Sequence, residues 1–137
     1  MKQLFAAAAI LMVLSAPAPA TEWVSCSGGE GKVSFDVLLG LMEVIAIDTV
    51  NIEANGKKWS TKPGAGAIKV EVGQAFETAD QMWIDVLGEG MDGFVAKLRL
   101  FKASEIVEGV DDGAFDATGG VLHMPGVGAW VVSCTGP

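Results

Sequence analysis

Residue types that often carry chemistry are scarce in this chain of 137 residues. It contains no tyrosine and a single histidine, His123, and no G-x-S-x-G elbow occurs. General acid–base catalysis often uses histidine, but His123 has no serine or acidic residue at a recognisable motif spacing. Gly64-Ala65-Gly66 lacks the strand-to-helix context that phosphate binding requires. We therefore expect no enzyme, no catalytic residue and no cofactor.

Basic residues are also few. The chain has 9 Lys and Arg against 17 Asp and Glu, and without Lys2 the count is 8 against 17, a net charge of −9. Such a surface repels phosphate backbones and anionic lipids. The charge therefore disfavours nucleic acid and non-specific membrane binding. It either keeps an exported protein soluble or serves to attract a cationic partner.

Only one long apolar run is present, and it lies at the start of the chain. Lys2 precedes the run Leu4–Leu14, and Ala18-Pro19-Ala20 supplies small residues for cleavage. A run of about 11 residues is too short to cross a membrane, which takes about 20. We expect residues 1–20 to be a signal peptide cleaved after Ala20. Residues 21–137 then form one periplasmic or secreted domain without a stable membrane anchor.

The only two cysteines, Cys26 and Cys134, lie near the two ends of that domain. Export places them in an oxidising compartment, where an even number of cysteines is paired by default. Their surroundings are alike, Val-Ser-Cys-Ser-Gly and Val-Ser-Cys-Thr-Gly. We expect a structural disulfide between the first and last strands.

Alternation of apolar and polar residues dominates after residue 22, and no long helical pattern appears. Glycine-rich turns separate seven to nine short strands, which indicates an all-β fold, a small antiparallel β-barrel or β-sandwich. Asn55-Gly56 predicts a tight hairpin that pairs Ile52 with Trp59 and Glu53 with Lys58. The alternation predicts an inward-facing set: Val33, Phe35, Val37, Val50, Ile52, Trp59, Ile68, Val70, Val72, Ile84, Val86, Leu98, Leu100, Trp130 and Val132.

Three segments are less regular. The apolar run 41–47 suits either a buried strand or a short helix. The mixed segment 73–80 predicts a loop or one helical turn around Phe76, and the acidic segment 104–120 predicts irregular structure with at most a short helix near 104–107. Beyond Gly88–Gly93, we expect Lys97 and Arg99 to lie beside Asp85 on the solvent-facing side.

The layout resembles the periplasmic inhibitors of c-type lysozyme, which are small exported β-barrels. The resemblance covers Cys26 with its following glycines and Cys134, because those inhibitors also link an early cysteine to one near the C-terminus. It implies an exported barrel. The family's inhibitory loop carries a serine-glycine motif ending in tyrosine, whereas this chain has no tyrosine and its only Ser-Gly step is Ser27-Gly28. The residues that would carry that activity are missing.

The leading functional hypothesis is a non-enzymatic exported domain that binds, and in its sharpest form inhibits, a basic envelope or secreted protein. Trp83, Leu87 and Phe101, if exposed together, would form an aromatic patch suited to such a partner. Two alternatives stay open. One is a copper carrier using His123 and Met124, since soft ligands select Cu(I). The other is a small hydrolase whose acidic residues converge in a cleft.

Overall fold

A computed structural model describes residues 21–40, 44–64, 66–109 and 114–136, so the expected signal peptide lies outside the described residues. Nine strands follow one another, with single 3-10 turns at Gly29–Gly31 and Glu89–Met91. The strands are β1 Thr21–Gly28, β2 Val33–Gly40, β3 Ala46–Ala54, β4 Lys57–Ser60, β5 Ala67–Glu77, β6 Gln81–Gly88, β7 Phe94–Ile106, β8 Ala114–Met124 and β9 Gly128–Thr135. Within these residues no helix is both long and apolar enough to span a bilayer.

The nine strands form one closed barrel in sequential order, so the barrel alternative is confirmed over the sandwich. β1 and β9 close the ring as an antiparallel pair, and Cys26 lies directly opposite Cys134 in their register. The predicted disulfide joins them with an S–S distance of 2.05 Å. It is consistent with an extracellular or periplasmic location.

Inward-facing apolar side chains fill the barrel, as expected for a small barrel whose interior is a packed core. Most of the predicted inward set is buried, and the sequence pattern missed several further members of the core: Val24, Cys26, Met82, Ala96, Leu122 and Met124. Val72 and Trp130 are only partly buried. Ile68 was wrongly placed inside, since it lies at the start of β5 near one end of the barrel and is 52% exposed.

The Asn55-Gly56 hairpin is confirmed in its predicted register. Ile52 pairs with Trp59 and Glu53 with Lys58, and the two turn residues have φ values of 51° and 77°. Both turn positions thus need the left-handed conformation that Asn and Gly tolerate.

One neighbouring pair departs from the antiparallel pattern, because β4 and β5 run parallel. β5 starts beside the start of β4, where Lys58 pairs with Ala67, and residues 61 and 62 are tied to β3. The Val50 amide donates to Thr61 Oγ1 at 3.0 Å, and Lys62 Nζ lies 2.5 Å from an Asp48 carboxylate oxygen. Asp48 is the extra residue where the register of β2 and β3 shifts, a β-bulge.

The segment 73–80 is not a helical turn. β5 continues to Glu77, and its register with β6 shifts between Val72 and Gln74, so Gly73 is the extra residue of a bulge. The prediction for the run 41–47 can be compared with the structure only in part. Residues 46 and 47 belong to β3, whereas residues 41–43 lie outside the described residues.

The acidic segment 104–120 is also more regular than the sequence indicated. β7 runs to Ile106, β8 starts at Ala114, and the two pair without a register shift from Lys97 with His123 to Ile106 with Ala114. The prediction of irregular structure was wrong because long-range strand pairing overrides weak local alternation. Gly119 and Gly120 lie within β8, and a Cβ on Gly120 would sit 1.9 Å from the Arg99 carbonyl oxygen.

Candidate functional site

Three of the exposed aromatic side chains of β5, β6 and β7 occupy neighbouring outward positions, and we call them the aromatic face: Phe76, Trp83 and Phe101. Their exposed fractions are 45%, 44% and 63%. Phe76 is the direct ladder partner of Trp83, and Phe101 lies diagonally opposite Trp83, next to its partner Arg99. Large apolar side chains that gather on one face mark a surface suited to binding.

The bulge at Gly73 brings Phe76 to this face. Val70 and Val72 point into the barrel, and strict alternation would send Phe76 inward as well. One extra residue reverses the alternation, because the side-chain period of a strand is two. Ala75 therefore pairs with the buried Ile84, and Phe76 pairs with the exposed Trp83.

Phe76 and Trp83 form an aromatic pair. Their ring centroids lie 5.9 Å apart with an interplanar angle of 59°. Tilted pairs at this separation are favourable because the positive edge of one ring meets the negative face of the other. The two rings therefore form a preorganised wall on the outside of the barrel.

Arg99 lies beside this wall in a fixed position. Its Nη2 donates to Asp85 Oδ1 at 2.6 Å, and its Nη1 donates to the Leu98 carbonyl at 2.8 Å. The guanidinium carbon lies 5.2 Å from the centre of the Trp83 ring, a cation–π distance. The predicted placement of Arg99 and Lys97 beside Asp85 is confirmed, since Lys97 is the ladder partner of Asp85.

A shallow groove of about 400 Å³ runs along this part of the surface. It is lined by Gln74, Phe76, Gln81, Trp83, Asp85 and Arg99. The Asp85 carboxylate and the Arg99 guanidinium neutralise each other. Neither glutamine side chain forms a hydrogen bond with another described residue, so both amides remain available to a ligand or partner.

The apolar surface extends from the aromatic face across the neighbouring strands, along one row of ladder partners. Arg99 pairs with Val121, and Val121 pairs with Val131. Both valines are exposed. The row Phe76–Trp83–Arg99–Val121–Val131 thus spans five adjacent strands, from β5 to β9.

Two of the three residues of the predicted patch, Trp83 and Phe101, lie close together, and the third, Leu87, lies apart from them. Leu87 lies two outward positions beyond Trp83, on the far side of Asp85, and is half-buried. Its ladder partner is Phe94 rather than Phe101. Sequence reasoning missed Phe76, although a lone glycine inside an alternating run is a signal for a bulge.

His123 and Met124 lie on opposite faces of β8. His123 is exposed on the outside, whereas Met124 is 1% exposed in the core. Because the two side chains diverge, they cannot hold one ion together, and this geometry gives the copper hypothesis no support. Among the described residues, no three His, Cys, Asp or Glu side chains lie close enough to hold a metal.

A second groove, also of about 400 Å³, lies at the end of the barrel where the chain enters and leaves. Glu22, Glu77 and Asp116 contribute carboxylates to its lining, and Lys102 and Ser104 contribute further polar groups. Lys102 Nζ lies 2.7 Å from a Glu77 oxygen, so that carboxylate is already paired. The hydrolase hypothesis would depend on this groove.

Comparison of the chain with protein-family models, with curated proteins and with solved structures gives no match.

Proposed function

We propose that this protein is an exported, non-enzymatic binding domain, and that its aromatic face contacts another envelope or secreted protein. The observation that carries the proposal is the pairing of Phe76 with Trp83 on the outside of the barrel, with Phe101 beside them. In this proposal residues 1–20 are the cleaved signal peptide, and the mature protein lies in the periplasm or outside the cell.

The residue types on the face support a protein partner. Tryptophan and arginine are enriched among residues that dominate binding energy, especially where neighbouring groups hold them in place. Trp83 is held by Phe76 and Arg99 on a sheet that is paired on both sides of β6. A partner would therefore bind without first having to order this side chain.

The overall charge supports a basic partner. An acidic protein attracts a basic one over a distance of about a Debye length, which raises the association rate at low salt. The groove along the aromatic face carries no net charge, because Asp85 pairs with Arg99. In the proposal, the opposite charges raise the association rate and therefore the affinity at low salt, and the apolar rings slow dissociation.

Affinity capture tests the proposal. The exported protein is immobilised, exposed to an extract of the compartment it occupies at low and then high salt, and bound proteins are quantified by mass spectrometry. We expect a partner that is lost at high salt, and we expect Trp83→Ala to reduce its retention by roughly 30-fold or more, as for a binding hot spot.

Trp23→Ala is the matched control. Trp23 is 45% exposed, almost the same as Trp83, but it lies on β1, four strands away around the barrel. Capture that is equal for the Trp83 and Trp23 variants, or no salt-sensitive partner at all, would overturn the proposal.

A further inference from the structure

The β7–β8 hairpin is longer than the strands on either side of it. β7 and β8 pair as far as Ile106 with Ala114. The β6–β7 ladder ends at Gln81 with Phe101, followed only by a bond from the Lys102 amide to the Asp80 carbonyl at 2.8 Å. On the other side, the β8–β9 ladder ends at Thr118 with Cys134. Residues 103–106 and 114–117 thus project beyond the barrel, and we call them the projecting hairpin.

The edge of β7 is open along residues 103–106. Four residues at about 3.4 Å each give an edge about 14 Å long. All four residues are exposed, and within the described part of the chain only β8 pairs with them. Their outward backbone N–H and C=O groups form a template for an additional strand.

Natural proteins usually protect such an edge, and several of the common protections are missing here. Lysine, proline and bulges are the common devices. Residues 103–117 contain no Lys, Arg or Pro, and the register between β7 and β8 shows no shift. Glu105 and Asp116 give the hairpin negative charge, which disfavours pairing of one copy with another and favours a positively charged strand.

The two faces of this edge differ. Glu105 lies on the outer face, in line with Phe101, whereas Ile106 lies on the other face and is 77% exposed. A strand added beside residues 103–106 would continue the line of β6 and would adjoin the aromatic face. Its outward side chains would meet Glu105, and its inward side chains would meet Ile106.

We propose that the edge of β7 at residues 103–106 accepts an extended segment of the partner in which basic and apolar residues alternate. The segment adds a tenth strand to the sheet through backbone hydrogen bonds. The inference rests on the proposed function, because the segment belongs to the protein that the aromatic face binds.

A synthetic peptide tests the edge separately from the natural partner. The probe is a ten-residue peptide of alternating lysine and valine, titrated into the isotope-labelled full protein and followed by NMR. We expect amide shift changes and slowed hydrogen exchange at residues 103–106. A peptide of alternating lysine and proline has the same length and charge but cannot form a strand ladder, so we expect it to bind at least about tenfold more weakly.

Charge-reversal variants of the protein supply the second part of the peptide test. We expect Glu105→Lys to weaken the lysine–valine peptide about fivefold or more, because like charges then face each other across the added pair. Glu30→Lys makes the same change in net charge at the opposite end of the barrel, and we expect its affinity to stay within about twofold of the unchanged protein.

Three results would overturn the inference: equal binding of the two peptides, shift changes spread over the acidic surface, or shift changes confined to residues 114–117. Failure of the proposed function is a different result, since it appears as partner capture that does not depend on Trp83. If partner capture depends on Trp83 while the peptide leaves the amide shifts and hydrogen exchange of residues 103–106 unchanged, only the proposed strand addition is wrong.

Discussion

Phe76 and Trp83 are direct partners in the β5–β6 ladder, and their rings pack against each other on the outside of the barrel. Such an aromatic pair contributes about 0.5–1.5 kcal/mol beyond the area it buries. Gly73 makes the pair possible, because its bulge reverses the alternation of β5. The structure therefore links one inserted residue to the surface on which the proposed function depends.

The disulfide should account for a large share of the stability. Replacing both Cys26 and Cys134 by alanine removes a cross-link between residues 108 positions apart. In the chain-entropy model, closing a loop of this size is worth about 4–5 kcal/mol. We expect the free energy of unfolding in urea to fall by about that amount, and reduction of the unchanged protein to have the same effect. A loss below about 1 kcal/mol would show that the barrel closes without help from the bond.

Gly120 should tolerate no side chain. In Gly120→Ala the new Cβ would lie 1.9 Å from the Arg99 carbonyl oxygen, so two strands must move apart. We expect thermal or urea unfolding to show a loss of about 1–3 kcal/mol. Gly64→Ala is the control, because a Cβ at Gly64 meets nothing within 4 Å. Equal stability of the two variants would contradict the close approach of β7 and β8.

The Asp85–Arg99 pair should stabilise the fold as well as the aromatic face. The side chain of Asp85 is 13% exposed, so Arg99→Met would leave a largely buried carboxylate without its charged partner. A hydrogen bond to a charged group is worth about 1.5–3 kcal/mol, and we expect a loss of that size in urea unfolding. Adding Asp85→Asn to the Arg99→Met variant should recover part of the loss. No recovery would mean that Arg99 acts mainly through its stacking on Trp83.

Asp48 should have a lower pKa than an ordinary aspartate. Hydrogen bonds from Lys62 and then from Thr49 lower the pKa of its carboxyl below the ordinary value of 3.8. Since the folded-state pKa is the lower one, the stabilisation is present above the unfolded-state pKa and is lost as the pH falls through the folded-state pKa. We expect carboxyl NMR titration to show a midpoint below 3.8.

Lys62→Met should raise that midpoint, because it removes the main donor. Lys58→Met removes a cation from a different ion pair, with Glu53, and should leave the Asp48 titration unchanged. A midpoint that does not move in the Lys62 variant would show that the bond from Lys62 to Asp48 does not persist in solution.

Parts of the fold with strong local signals could be predicted from the sequence. Asn55-Gly56 fixes the register of its hairpin through backbone conformations that few other residues adopt. The two cysteines fix the closure of the barrel, because no other pairing is available to them. Two adjacent residues determine the hairpin, and the closure follows from the single pairing open to two cysteines 108 positions apart.

The rest depends on pairing between distant residues. Gly73 changes the direction of Phe76 only because β6 fixes the register on either side of the bulge. Ile68 alternates correctly with Val70, yet it lies near the end of the barrel and is exposed. Burial at a strand end depends on where the neighbouring strands stop, and local alternation does not contain that information.

Site-specific photo-crosslinking in the cell of origin tests the central claim most directly. A photoreactive benzoyl-phenylalanine is placed at position 83, and in a separate protein at position 23, and adducts are identified after irradiation. The account predicts a covalent adduct with one partner protein from position 83 and none with that partner from position 23. Adducts with the same protein from both positions, or no adduct from position 83, would contradict it.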